Sequence, residues 1–539
     1  MATFSSANPF DSRGRRAAGS SAAVVLAAAA AVLPAGRSAG QPASDAPRVS
    51  ASAEVSLLGV EVVVRDRNGK PVHGLQAADF ELLHGGRPVA VTNFHEEREL
   101  AESPRADGLG VASAAGETAS VRLPRRIVVF VDRLYLPEPS RRGELFDGVK
   151  GLLARSLTRP GDEAMVVSWG DYARVVRSFT GDLDALDATL DAVSRRVARL
   201  DSQWDELAEL ASRDFRSGSV SADQAGGAPA GSGELSPEIA DLQAWGLMKA
   251  RVSALRGLVA LMAGMEGRKS LVLVSDRFGR WPGGWMSDGR DGRILLERLA
   301  EAANASGVTL YGVYPQEDTT GVAWMNQMAG LDFVAERTGG TTSPHPGLLP
   351  RFLDQVAGDL GSFYSLGFPA PGATRPESVK VRVKREGLTA RTRATVAERT
   401  AEQQLTDRAL ANLFAPDPSS RIGISVVAGE AKPAGKKYRI PLEVRIPTSA
   451  LVRLPGPAST KGKFSVFVVA ATPKGDFSEV TRRRQAFEVK PGEETRADGS
   501  HLTYTLEVES DAPAPRISLA VWDEIGGEAG FALVGMPRG

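Results

Sequence analysis

Arg125-Arg126-Ile127-Val128-Val129-Phe130-Val131-Asp132 decides the fold. The apolar run is unbroken from Ile127 to Val131, where a strand with one wet face would alternate. An unbroken run means burial on both faces, the mark of a parallel sheet covered by helices on each side. The same form returns at Ser270-Leu271-Val272-Leu273-Val274-Ser275-Asp276, again closing on an aspartate. Helical spacing follows the first run over 141–157, with Leu145, Phe146, Val149, Leu152 and Leu153 on one face. Short strands at 164–168 and 174–179 come next, then a helix carrying Leu183, Leu186, Leu190 and Val193. A Gly/Ser/Ala/Asp-rich loop at 216–236 precedes a long helical stretch, 237–265. Beyond Asp276 a helix (294–305), a strand (308–313) and helices within 324–338 and 348–360 complete the alternation. Strands regularly separated by helices predict an α/β doubly wound parallel sheet over 124–362.

On either side the pattern changes to period two. Val60, Val62 and Val64 lead into the turn Asp66-Arg67-Asn68-Gly69-Lys70-Pro71, with further strands at 79–82 and 89–94. Residues 99–123 read as a linker. After 362, Val379-Lys380-Val381-Arg382-Val383 alternates again, as does 389–396. These pieces predict one β-sandwich split between 50–98 and 363–397, with the α/β domain inserted into it. A helical linker at 398–415 then leads to a C-terminal β-domain, 416–539.

The composition narrows the function classes. A chain of 539 residues implies three or four domains at about 150 residues each. Its 65 acidic and 65 basic residues leave no net field to attract nucleic acid. It has no cysteine, which excludes thiolate catalysis, cysteine-ligated metals, disulfides and lipidation at cysteine. At the N-terminus Arg13, Arg15 and Arg16 precede an uncharged run, 17–33, and a small-residue stretch, 34–40. This reads as a signal peptide, with the mature chain starting near Gln41 in a secreted or periplasmic setting. An uncleaved anchor is the alternative. Nothing later in the chain has the length and apolarity of a membrane span.

The order Arg125 to Asp132, Arg159-Pro160-Gly161-Asp162-Glu163, then Gly267-Arg268-Lys269-Ser270 through Asp276, resembles a von Willebrand factor A domain. Val62-Val63-Val64-Arg65-Asp66, Gly74-Leu75, Asp79-Phe80 and the closing Tyr364-Ser365-Leu366-Gly367-Phe368 are similar to the bacterial VWFA-related domain family. The resemblance spans roughly 55–396. It implies a ligand-binding face whose metal is held by Asp-x-Ser-x-Ser, a threonine and a second aspartate. Here the first motif is Asp132-Arg133-Leu134-Tyr135-Leu136, with leucine in place of both serines, and the threonine segment has no counterpart. Asp132 and Asp276 alone match, so the expectation is no cofactor, with weak Mg²⁺ binding as the alternative. Arg133 and Arg277 directly follow these aspartates and could neutralise them without metal. Equally, both aspartates could simply cap the turns that follow.

Ligands of open α/β sheets meet the carboxyl ends of the strands. The loops there carry Arg133, Tyr135, Trp169, Tyr172, Arg277, Arg280, Trp281 and Trp285, residue types that dominate protein-interface hot spots. Trp281 and Trp285 packing down onto the domain is the competing reading. The five histidines show no zinc spacing, and there is no Gly-x-Ser-x-Gly elbow or phosphate loop. The expectation is an exported, non-enzymatic module that binds or scaffolds an extracytoplasmic protein, independently of metal. An extracytoplasmic enzyme with an illegible site is the other class. Neither nucleic acid nor stable membrane insertion after signal cleavage is expected.

Overall fold

Alternate residues of one strand feed two cores. In β5 (Arg125–Asp132), Ile127, Val129 and Val131 point to one face of a sheet and Val128 and Phe130 to the other, all at most 1% exposed. The computed structural model describes residues 57–98, 124–136, 139–170, 172–195, 237–275, 278, 292–314, 322–343, 346–370, 372, 374–417, 419–435, 437–456, 459–472, 477–490 and 501–535. The expected signal peptide, the expected linker 99–123, the expected loop 216–236 and the residues Asp276, Arg277, Arg280, Trp281 and Trp285 lie outside them, as does the side chain of Tyr135.

The chain begins with β1 (Leu57–Arg65), β2 (Phe80–His84), β3 (Arg87–Val89) and β4 (Asn93–Glu97). The α/β region holds β5, α1 (Pro139–Ser156), β6 (Glu163–Trp169), β7 (Ala173–Thr180), α2 (Leu183–Arg195), α3 (Pro237–Ala263), β8 (Arg268–Val274), α4 (Arg293–Ser306), β9 (Val308–Val313), α5 (Val322–Arg337) and α6 (Leu349–Gly361). Its five-stranded sheet has the order β7-β6-β5-β8-β9. β5 pairs in parallel with β6 and β8, and β8 with β9. β7 runs antiparallel to β6, so the sheet is mixed and not wholly parallel as expected. The reason is local: residues 170–172 alone join the two strands, and a parallel return needs a crossover of a dozen residues or more.

Helices cover both faces. α1, α2 and α6 pack on the Ile127 side; α3, α4 and α5 pack on the Phe130 side. α6 shows why such segments are helical: Leu349, Phe352, Leu353, Val356, Ala357 and Leu360 recur at three- and four-residue steps and are all buried. α4 stops at Gly307, whose φ of 65° is the left-handed conformation that ends helices cheaply only for glycine.

After α6 come β10 (Phe363–Pro369), β11 (Glu377–Val383), β12 (Thr389–Arg391) and β13 (Thr395–Val396). They join the N-terminal strands in two four-stranded sheets, β12-β1-β10-β4 and β13-β11-β2-β3. Val60, Val62, Val64, Phe80, Leu82, Tyr364, Leu366 and Phe368 fill the space between them. This sandwich is fastened to the α/β region by Asp359 of α6, which is fully buried and bonded to both Arg65 and Arg391.

α7 (Ala401–Ala411) starts with a capping box, Thr400 and Gln403 exchanging bonds with each other's backbone. It is more than a connector. Leu410, Leu413 and Phe414 share one apolar cluster with Leu258 and Met262 of α3 and with Val469 and Ala471 of a C-terminal strand. That strand belongs to the last region: β14 (Ser425–Ala428), β15 (Lys432–Ala434), β16 (Lys437–Pro447), β17 (Leu454–Pro455), β18 (Thr460–Ala471), β19 (Thr481–Val489), β20 (His501–Ser510), β21 (Arg516–Asp523) and β22 (Ala529–Val534). Two sheets form there, β14-β16-β15 with β20 on β16, and β17-β18-β21-β22 with β19 on β18. All the described residues fall within one compact unit, Val55–Gly539. Among them no helix is long and apolar enough to cross a membrane.

Candidate functional site

The carboxyl ends of β5, β6 and β8 bring together Asp132, Trp169 and Ser275. Asp132 is the last residue of β5 and caps the 3₁₀ turn Arg133–Tyr135, accepting from the Leu134 amide at 3.2 Å. That is the local job a short carboxylate does well at the start of a turn. Asp132 is fully buried, so a cap alone would leave a charge stranded in low dielectric.

Two further groups meet that charge. The Ser275 hydroxyl donates to Asp132 Oδ2 at 2.9 Å, and the Nε of Arg251 stands 3.1 Å from the same oxygen. Arg251 is itself 3% exposed, and its guanidinium lies 5.9 Å from the centre of the Phe278 ring. It reaches the sheet's carboxyl edge because of helix length. About 18 Å of α3 separates it from Ala263, close to the roughly 20 Å that β8 climbs. Met248, Val252, Leu255 and Val259 are buried on the same helix, so Arg251 sits on its inward stripe.

The sequence pointed to Arg133 and Arg277 as neutralisers. Among the described residues Arg251 brings a cation to Asp132, and sequence periodicity alone does not single it out; Arg277 lies outside the described residues. A lone arginine on an apolar helical stripe was the available signal, since such a residue needs a buried partner. Arg133 lies half-buried in the 3₁₀ turn, and Tyr135 follows in the same turn.

Trp169 leaves the exposed set. It is 2% exposed, with its ring stacked 6.2 Å from Phe130, because Met165, Val167 and Trp169 share one inward face of β6. Tyr172 stays outside, at 39% exposure in the turn between β6 and β7. Arg174 lies 5.3 Å from its ring centre and bonds its hydroxyl, which holds both side chains at the rim.

A divalent ion of the kind the resemblance implies asks for about six oxygens, with room for waters. Asp132 and Ser275 offer buried oxygens bonded to each other, and a guanidinium already occupies the approach to Oδ2. These residues do not fit such an ion. Among the described residues no group of three or more His, Asp or Glu side chains is arranged to hold a metal.

A cavity of about 400 Å³ lies at the opposite end of the sheet, lined by Pro124, Arg126, Met265, Arg399, Asp407 and Arg408 among others. Its charged walls pair with each other and their surroundings: Arg399 with Asp407 at 2.5 Å, Arg408 with Asp417 at 2.8 Å. Burial pushes the Asp407 carboxyl up to about 6, against the pull of Arg399 and Lys269.

No family model matches the chain, and no curated protein does. Among solved structures it is similar to the conserved hypothetical protein BatB from Bacteroides thetaiotaomicron, at 10% identity over 43% of this chain and 98% of that one, TM-score 0.23. It is similar to the vWF domain of the type V pili tip protein Mfa5 from Porphyromonas gingivalis, at 14% identity over 44% and 95%, TM-score 0.22. The pilus adhesin SpaC from Lactobacillus rhamnosus GG is matched at 10% identity over 88% of this chain and 57% of its own, TM-score 0.24. The neighbours thus include a von Willebrand factor A domain. Likeness at this level assigns neither family nor role.

Proposed function

We propose that this chain is an exported protein-binding or scaffolding module that presents the carboxyl edge of its α/β sheet to an extracytoplasmic protein. The observation that carries the reading is a contrast at that edge. Asp132 is buried and engaged, while Tyr172 and Arg174, just beyond Trp169, its register partner on β6, stand exposed and in contact with each other. Such an exposed aromatic and arginine pair offers contact surface of the kind that protein interfaces use. Docking of the sandwich through Asp359 and of the C-terminal region through α7 supports a rigid carrier for it. Export rests on the arginines and alanine-rich run before Gln41.

The test is crosslinking in intact cells with photoreactive groups placed at Tyr172, followed by mass spectrometry of the envelope fraction. A specific extracytoplasmic protein should be captured, and Tyr172→Ala with Arg174→Ala should cut its recovery about tenfold, on the order of one interface hot spot. Unchanged recovery in that double variant removes this edge as the binding face. Finding the chain in the cytoplasm removes the exported role.

A further inference from the structure

We infer that Arg251 is the resident cation of the sheet's carboxyl edge: its guanidinium holds, by covalent tether, the position beside Asp132 that a divalent ion would need. Three observations converge on it. Asp132 is fully buried and has both oxygens engaged, Oδ1 by the Leu134 amide and Oδ2 by Ser275 and Arg251. Arg251 is 3% exposed and cannot relax outward, because α3 is anchored on either side of it by Met248, Val252, Leu255 and Val259. Phe278, 1% exposed, presents its ring to the guanidinium and closes the seat from the far side.

The chemistry of the occupant sets the behaviour of the edge. A guanidinium keeps its charge at any pH a cell reaches and cannot be stripped by chelators or diluted away. A metal seat is conditional on ion supply; this one is permanently filled. The Asp132 position is therefore fixed in one electrostatic state, and whatever meets it does so without a metal bridging the contact. The cation seat is independent of the identity of any partner.

Mn²⁺ is the probe, read by electron paramagnetic resonance of the free ion and by thermal unfolding of the full-length mature chain. Wild type should take up no Mn²⁺ at this seat and show no Mn²⁺-dependent shift in melting. Arg251→Ala vacates the seat and leaves Asp132 and Ser275 facing water. It should melt lower, gain Mn²⁺ binding with a dissociation constant on the order of 1 mM, and recover part of the lost melting temperature with the ion. Adding Asp132→Asn to Arg251→Ala should abolish that response, and Arg251→Lys should stay silent to Mn²⁺. If Arg251→Ala does not fold, Arg251→Gln keeps the stem without the charge and takes its place. Mn²⁺ uptake by wild type that Asp132→Asn removes overturns the inference. So does a folded, charge-deleted variant that remains silent to the ion.

Discussion

Arg65 of β1 donates through Nε to Oδ1 of Asp359 in α6 at 2.8 Å, across 294 residues of sequence. Asp359 is fully buried and takes Arg391 of β12 on its other oxygen. One carboxylate thus holds two strands of the sandwich against a helix of the α/β region. Removing it leaves two arginines without their shared anion. Asp359→Ala should lower the unfolding free energy by about 3–5 kcal/mol, the cost of breaking a buried pair by deleting one partner. Arg391→Met, at the more open end of the triad, should cost less. Urea unfolding of both variants measures this, and a loss in Asp359→Ala no larger than a surface substitution would show that the contact does not fasten the domains.

How much of this was legible in the chain depends on how far apart the partners lie. β5 is readable because its burial is written into consecutive residues, Ile127 to Val131, with both faces dry. The inward face of Trp169 is equally readable from Met165 and Val167 at period two, although a tryptophan at a strand end also reads as a loop residue. The reversed direction of β7 follows from the three residues that connect it to β6. Arg251 and Asp132 are another matter. Nothing local links them, because their meeting depends on the length of α3 matching the climb of β8. Side-chain pairing across elements is set by packing geometry, which periodicity does not encode.

Two buried groups below the sheet should shape the pH dependence of stability in opposite directions. Burial raises Asp407 to about 6 from 3.8, so the folded chain holds this proton more tightly than the unfolded one. Unfolding free energy should therefore fall as pH rises from 4 to 6, by about 3 kcal/mol at most. Burial lowers Lys269 to about 8 from 10.5, so here the unfolded chain binds the proton more tightly. Stability should then climb from pH 8 toward 10.5 by a similar order. The two groups together put a flat-bottomed minimum between pH 6 and 8. Asp407→Asn should flatten the acidic limb and Lys269→Met the alkaline one, each widening the other limb because the two charges favour each other; urea midpoints across pH test both. An acidic limb unchanged in Asp407→Asn assigns that slope to other carboxylates.

The shared core around α7 should make the α/β and C-terminal regions melt together. Leu413 is fully buried and Phe414 8% exposed, in one cluster with Met262 of α3 and Val469 of β18. Leu413→Ala should cost about 2–5 kcal/mol, as for other leucines cut from dry cores. The informative readout is the shape of the calorimetric transition. Wild type should unfold in one peak covering both regions, and Leu413→Ala should shift that peak down before it splits. Two separate peaks in wild type would show that the cluster does not couple them.

Trp169 and Tyr172 lie three positions apart and should respond to substitution in opposite ways. Trp169 packs on Phe130 inside the sheet–helix core, so Trp169→Ala should cost about 3–5 kcal/mol of stability. Its effect on any binding should be no more than that loss of folded protein explains. Tyr172, at 39% exposure, lends little to the core, and Tyr172→Ala should change stability by less than about 0.5 kcal/mol. If the edge binds a partner, this second variant should weaken the contact while the melting temperature holds. Urea unfolding and crosslinking yield on the same two variants separate the roles. A stable Trp169→Ala with weakened crosslinking would return Trp169 to the contact face and show that the edge opens when it binds.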